Sequence, residues 1–381
     1  MRLRGVMRVM GPMGPMGLMG LIGLIGLIGL LGCSADDEAG SRETPIVFTG
    51  DRQAEEQVTR GNANATRAVT PLYELEKTFT VYGAKNGDYN AATGSYASYQ
   101  TVFQGYTVRW LNNSVATTTT NSRGWEYVNQ QLPGALEQTV KFWDYSADAY
   151  RFMAVTGSGV TPTTTTADGV TVSRLTFEAN ATNPETMPYY SHLWFSNNKN
   201  DYGKPVTLVF VKPLCRVRFM FTFENPADAA DTELSGKSLA RSDGKNIMTG
   251  GKVYVDYPLT GTATAETLSI DDNASGLSEL TKDYYTVEDP KETDENLIAG
   301  KEYWYTLLPA PDGQGTLTLT VSVNGDPKTT VVPKEYTKWL PGYEYTYIFK
   351  VHVDGGVSID KVQSAFTDWI EHVGSHEIYN W

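Results

Sequence analysis

The sequence predicts an all-β protein of sandwich type, and three observations carry that prediction. Apolar and polar residues alternate in short runs after residue 70, amphipathic helical patterns are almost absent, and turn signals separate the runs. The clearest runs are Phe79 and Val81 in KTFTVYG, and Cys215, Val217, Phe219, Phe221 and Phe223 in LCRVRFMFTF. Two more are Leu317, Leu319, Val321 and Val323 in TLTLTVSVNGD, and Tyr345, Tyr347, Phe349, Val351 and Val353 in YEYTYIFKVHVDGG. Side chains on a strand point alternately to opposite faces, so each run turns one face to a core and the other to water. Asn324 and Gly325 tolerate positive φ and predict a tight hairpin between two of these strands.

At the N-terminus a glycine stands at every third position from Gly11 to Gly32. Collagen is excluded by the filler residues, which are mostly Leu, Ile and Met, with proline only at Pro12 and Pro15. The apolar stretch Leu18 to Leu31 falls short of the roughly 20 residues that span a bilayer. Arg2, Arg4 and Arg8, the apolar stretch and Gly32 instead fit a signal peptide over residues 1–32. Its ending, Leu30-Leu31-Gly32-Cys33, resembles the lipobox of bacterial lipoproteins, in which the chain is cut before the cysteine and the cysteine is lipidated. The acidic run Ser34-Ala35-Asp36-Asp37-Glu38 resembles the surface-export signal of Bacteroidota lipoproteins. Both resemblances imply a lipid anchor on Cys33 in the outer membrane, facing outward.

Residues 33–69 read as a tether, a first strand and a protease-sensitive loop. The strand is PIVFTG, Pro45 to Gly50, with Ile46 and Phe48 at alternate positions; the polar stretch after it holds Arg60 and Arg67. A first domain is expected over residues 70–213 and a second over 214–381, consistent with the length of the chain. The stretch VTLVFVKPLCRVRF, strand-like on both sides of Pro213, lies at the junction.

The chain carries a formal charge of −13, and loss of residues 1–32 removes three arginines and no acid, leaving −16. Such a surface does not seek nucleic acid or anionic lipid by electrostatics. The two cysteines are Cys33 and Cys215. With Cys33 acylated no intramolecular disulfide can form, and Cys215, set among Leu214, Val217 and Phe219, reads as a small buried hydrophobe.

The order and spacing of FTVYGAK (79–85), TVFQGYTVRW (101–110), GWEYVN (124–129) and KFWDYSADAYRFMAV (141–155) resemble the N-terminal half of Bacteroidota fimbrillins, the Mfa-like and FimA-like subunits of surface fimbriae. VTLVFVKPLCRVRF, WLPGYEYTYIF (339–349) and the closing FTDW (366–369) continue the pattern, although many members have His and Ser where this chain has Lys212 and Cys215. The resemblance implies two tandem transthyretin-like Greek-key β-sandwich domains. It also implies export as a lipoprotein, removal of the leader and first strand by an arginine-specific or trypsin-like protease, and insertion of a neighbouring subunit's strand into the vacated groove. Cutting at Arg67 or Arg60 would release Ile46 and Phe48 with the first strand. The implied partners are other fimbrial subunits and a host or bacterial surface ligand, and the implied location is the outer membrane and then the fimbrium. The C-terminal stretch SIDKVQSAFTDWIEHVGSHEIYNW, Ser358 to Trp381, is read two ways, as a donated strand or, through Ile370, Val373, Ile378 and Trp381, as a segment docked on its own second domain.

No catalytic residue, metal site or cofactor is expected. His372 and His376 have the spacing of helix-borne metal ligands, but no helix is predicted there and no Glu follows His372 directly. The run from Asp271 imitates half of a calcium loop, yet Lys282 stands where the bidentate Glu belongs. Asp144 and Asp148 could be imagined as a glycosidase pair, but proximity is expected by chance among 44 acidic residues. The alternative to a fimbrial subunit is a monomeric surface lipoprotein that binds glycan, motivated by 23 tyrosines and 8 tryptophans.

Overall fold

The computed structural model describes residues 43–52, 71–111, 124–130, 137–157, 159–179, 187–229, 231–242, 251–271, 278–279, 300–313 and 315–366. Before Pro213 run β1 (Phe48–Arg52), the one-turn helix α1 (Leu72–Leu75), β2 (Thr78–Asn90), β3 (Ser95–Trp110), β4 (Trp125–Glu126), β5 (Ala149–Thr156), β6 (Thr163–Ala167), β7 (Val170–Glu178), β8 (Tyr190–Ser191), β9 (Trp194–Ser196) and β10 (Val206–Val211). After it run β11 (Cys215–Phe223), β12 (Leu234–Arg241), β13 (Lys252–Pro258), β14 (Thr267–Asp271), β15 (Ser278–Glu279), β16 (Gly300–Leu307), β17 (Leu317–Val323), β18 (Asp326–Val332), β19 (Tyr343–Val351) and β20 (Val357–Phe366).

The strands form four sheets. The largest has the order β1, β10, β8, β5, β2, β3, β4, with β9 also on β5; the second is β14, β13, β7, β6. The others are β16, β11, β19, β20 and β15, β12, β17, β18. Alternation along β5 divides the first two cores. Tyr150, Phe152 and Ala154 enter an aromatic core with Phe48, Phe79, Phe103 and Phe210, while Met153 and Val155 enter another with Leu175 and Phe177 of β7 and Val253 and Val255 of β13. Every residue of β5 is therefore buried, as a strand covered on both faces requires. A third core joins the last two sheets through Val217, Phe221, Leu319, Val321, Trp339, Tyr347 and Phe349.

The second sheet draws from both sides of residue 213: β13 pairs with β7 over Lys252–Pro258, and Arg174 grips Asp256 across that seam with two hydrogen bonds of 2.6 and 2.7 Å. The junction stretch is two strands, β10 in the first sheet and β11 in the third, parted at Lys212–Leu214. Asn324 (φ 50°) and Gly325 (φ 90°) make the hairpin between β17 and β18.

Two runs differ from the simple alternation expected. Arg216 and Met220 on β11, and Thr346 and Ile348 on β19, are buried along with the core positions Val217, Phe221, Tyr345, Tyr347 and Phe349. Both strands are interior to their sheet, paired along both edges. Val353, the last apolar residue of its run, is 71% exposed, because β19 ends at Val351 and the chain turns through Gly355 at φ 78°.

Candidate functional site

The expected first strand, Pro45 to Gly50, overlaps β1, which runs from Phe48 to Arg52 and occupies the edge of the first sheet. It runs parallel to β10, with Phe48 beside Val206 and Arg52 beside Phe210. The Val206 N–H donates to the Val47 carbonyl at 2.9 Å, which ties the start of the strand to β10. On its other flank the segment is held by residues 141–142. The Ile46 N–H donates to the Lys141 carbonyl at 2.7 Å, and Pro45 forms a bridge with Phe142. Tyr127 closes this join: its O–H donates to the Ile46 carbonyl at 3.0 Å and accepts from the Lys141 N–H at 3.0 Å. Burial pushes the Tyr127 phenol well above its ordinary range, so it stays protonated and able to donate.

Side-chain pockets follow the main chain. Ile46 is fully buried and Phe48 is 1% exposed, both in the aromatic core. The Phe48 ring meets Phe103, Phe152 and Tyr127 edge-on, with centroids 5.0, 5.4 and 6.1 Å away. Such edge-to-face contacts set the positive rim of one ring against the negative face of another. Gly50 faces Leu72 of α1, Phe79 of β2 and Trp125 of β4, and the Arg52 guanidinium lies 5.6 Å from the centre of the Tyr189 ring. Val47 and Thr49 are buried as well, so the segment is enclosed on both faces from Ile46 to Thr49, while Asp51 is exposed.

Cys33, Arg60 and Arg67 lie outside the described residues, as do His372 and His376; of the C-terminal stretch, residues 358–366 lie in β20, antiparallel to β19, and residues 367–381 lie outside the described residues. Cys215 is fully buried at the start of β11, with Sγ 3.3 Å from the Leu307 carbonyl, and burial pushes its thiol pKa far up. Asp144 accepts from Lys85 at 2.7 Å, from the Ser146 hydroxyl at 2.6 Å and from the Ser146 N–H at 2.9 Å. The Lys85 bond first, then those from Ser146, hold its carboxyl below the usual range, so it caps a turn as a carboxylate. Asp148 accepts the Tyr89 N–H at 3.1 Å on the surface. Asp271 ends β14, and residues 272–277 of the calcium-like run are outside the described residues.

Sequence reasoning found the strand but missed its receptor. Tyr127, Phe103 and Phe152 stand in three of the stretches quoted for the family pattern, GWEYVN, TVFQGYTVRW and KFWDYSADAYRFMAV, yet no spacing rule joins them to one another or to Phe48. Their density of aromatics was the available signal.

The structure is similar to a candidate cell adhesion protein from Bacteroides uniformis, at 17% identity and TM-score 0.42 over 79% of this chain and 96% of that one. A second from Bacteroides ovatus gives 15% and 0.44, covering 87% and 100%. The fimbrial anchor protein Mfa2 from Porphyromonas gingivalis gives 12% and 0.35, covering 84% and 95%. No curated protein matches. The model of the fimbrillin-like family matches residues 66–369, most of the sequence, and the chain belongs to that family.

Proposed function

We propose that the chain is a subunit of a cell-surface fimbria, exported as a lipoprotein on Cys33 and made competent for assembly when a protease removes β1. Cleavage at Arg67 or Arg60 frees the leader and the strand together, and a strand from another subunit fills the groove. The observation that carries this reading is the placement of β1: first of the described strands, at a sheet edge, and filling a pocket lined by residues that all follow position 71. Cutting between β1 and α1 leaves that lining intact. The groove then offers the free main-chain edge of β10 and alternating pockets, the two ingredients of recognition by strand addition. Further support is that the family match begins at residue 66, beside Arg67, and excludes β1. The third core, between the last two sheets, shares no residue with the groove, and we propose that the second sandwich passes through the exchange unchanged.

The test is limited trypsin digestion of the native protein, N-terminal sequencing of the product, and electrophoresis in mild detergent at rising concentration. A new N-terminus at residue 61 or 68, followed by a concentration-dependent ladder, is expected. A chain that stays uncut between residues 50 and 70, or a cut product that remains monomeric at every concentration, refutes the reading.

A further inference from the structure

The groove holds a selection rule at one position. Gly50 sits in extended strand, so no unusual φ calls for glycine there. The reason is space. A Cβ at residue 50 would come 2.6 Å from Leu72 Cδ2, 3.2 Å from Phe79 Cε1 and 3.4 Å from Trp125 Cζ2. The nearest of these is the tip of a leucine and can yield to a single methyl by a small shift. The other two cannot move freely: Phe79 is packed between Trp125 and Phe210 at centroid distances of 4.9 and 5.2 Å, and Trp125 is backed by Trp110 at 5.4 Å. All three walls are almost wholly buried.

We infer that the groove selects for a donor strand that carries glycine two residues after an aromatic residue, itself two residues after an aliphatic one, and that runs parallel to β10. The occupant is a strand of another subunit with this chemistry, and the inference rests on the exchange reading above. The seated segment displays the pattern: Ile46 in the core beside Tyr127, Phe48 in the cage of three rings, and Gly50 at the constriction. Leu72, Phe79 and Trp125 all follow Arg67, so the constriction stays with the subunit after cleavage and meets every incoming strand. Overpacking of a rigid core lowers affinity by about 10- to 100-fold. Alanine at the glycine position therefore falls at the low end of that range and valine at or beyond the high end.

The experiment mixes the full chain, during trypsin treatment, with fluorescent peptides of residues 44–52 in four forms: native, Gly50→Ala, Gly50→Val and Asp51→Val. Asp51 is exposed, so its variant controls for β propensity and charge. Retention on the cut protein is read by gel filtration and titration. The expected order is native and Asp51→Val together, Gly50→Ala about 10-fold weaker, and Gly50→Val about 100-fold weaker. Equal binding of native and Gly50→Val overturns the selection rule while leaving the groove as an acceptor. Failure of every peptide to bind a chain shown to be cut and folded overturns the groove reading and the rule with it.

Discussion

Replacing Phe48 by alanine removes the ring that three aromatic neighbours enclose, and the cost is set by that geometry. Truncating a buried Phe to Ala typically costs about 3–5 kcal/mol, the lost transfer energy and the cavity together. β1 lies at a sheet edge where the pocket can partly close, which favours the lower end, about 3 kcal/mol. That corresponds to a shift of about 150-fold in the equilibrium between seated and unseated strand. The Val206 amide reports this directly, because its hydrogen bond ends on the Val47 carbonyl and breaks when β1 leaves. Amide hydrogen exchange of the full chain is expected to show Val206 accelerated about 100-fold in Phe48→Ala, with the amides of β17 unchanged and Asp51→Ala resembling the native protein. Unchanged exchange at Val206 would show that the ring cage does not hold the strand. Equal acceleration in β17 would show that β1 opens only with the whole molecule and is no separable plug.

Tyr127→Phe strips the hydroxyl from a buried join and leaves the Lys141 N–H without that acceptor; a loss of about 1–3 kcal/mol is expected in urea unfolding, with faster exchange at Ile46. Unaltered stability would mean that water replaces the phenol. Asp144→Asn tests the depressed carboxyl: a group with a lowered folded pKa adds stability above its unfolded value near 3.8 and loses it as pH falls below that value. The deficit of the variant is expected to be under about 1 kcal/mol at pH 7, since the group is more than a third exposed, and to shrink in denaturation series taken below pH 4; a deficit that grows in acid contradicts the assignment. Cys215 should resist a thiol reagent in the native protein and react fully in denaturant, its labelling rate tracking the opening of the third core; fast native labelling would refute its burial.

The strands were legible because their signal is local. Leu317, Leu319, Val321 and Val323 repeat with the period of a strand and are all buried, and Asn324-Gly325 marks the turn by its own backbone preference. The first strand could be read from Ile46 and Phe48 because a short apolar run stands alone in a polar stretch. What was not legible is long-range pairing. Nothing in VTVSRLTFE tells that it lies beside residues 252–258, since both segments are ordinary alternating strands and register is settled only by the joint fit of Leu175, Phe177, Val253 and Val255. The same holds for the receptor of β1: Tyr127 binds the Ile46 carbonyl across 81 residues of sequence. Gly50 is the sharpest case. Within PIVFTG it looks like a strand terminator, while its role depends on Leu72, Phe79 and Trp125 arriving from three other elements.

The position of β1 is compatible with a strand that is buried at its start and, in the proposed assembly, removed. An interior strand such as β5 is bonded on both sides and packs into two cores, so its loss would divide the sheet and open both cores. β1 is the first of the described strands, bonded along Phe48–Arg52 to β10, and its pairing is parallel, the slightly weaker kind per residue. Its departure breaks no connection among the remaining strands. The departure does uncover an open edge and the rings that surrounded Phe48, and such a surface is an aggregation hazard unless another strand covers it. In the proposed assembly that hazard is the driving force for polymerisation, and it is indiscriminate, because any apolar strand relieves it. The constriction at Gly50 supplies what the driving force lacks: it penalises every strand with a side chain at that position, so that burial energy is recovered in full only by the strand that belongs there.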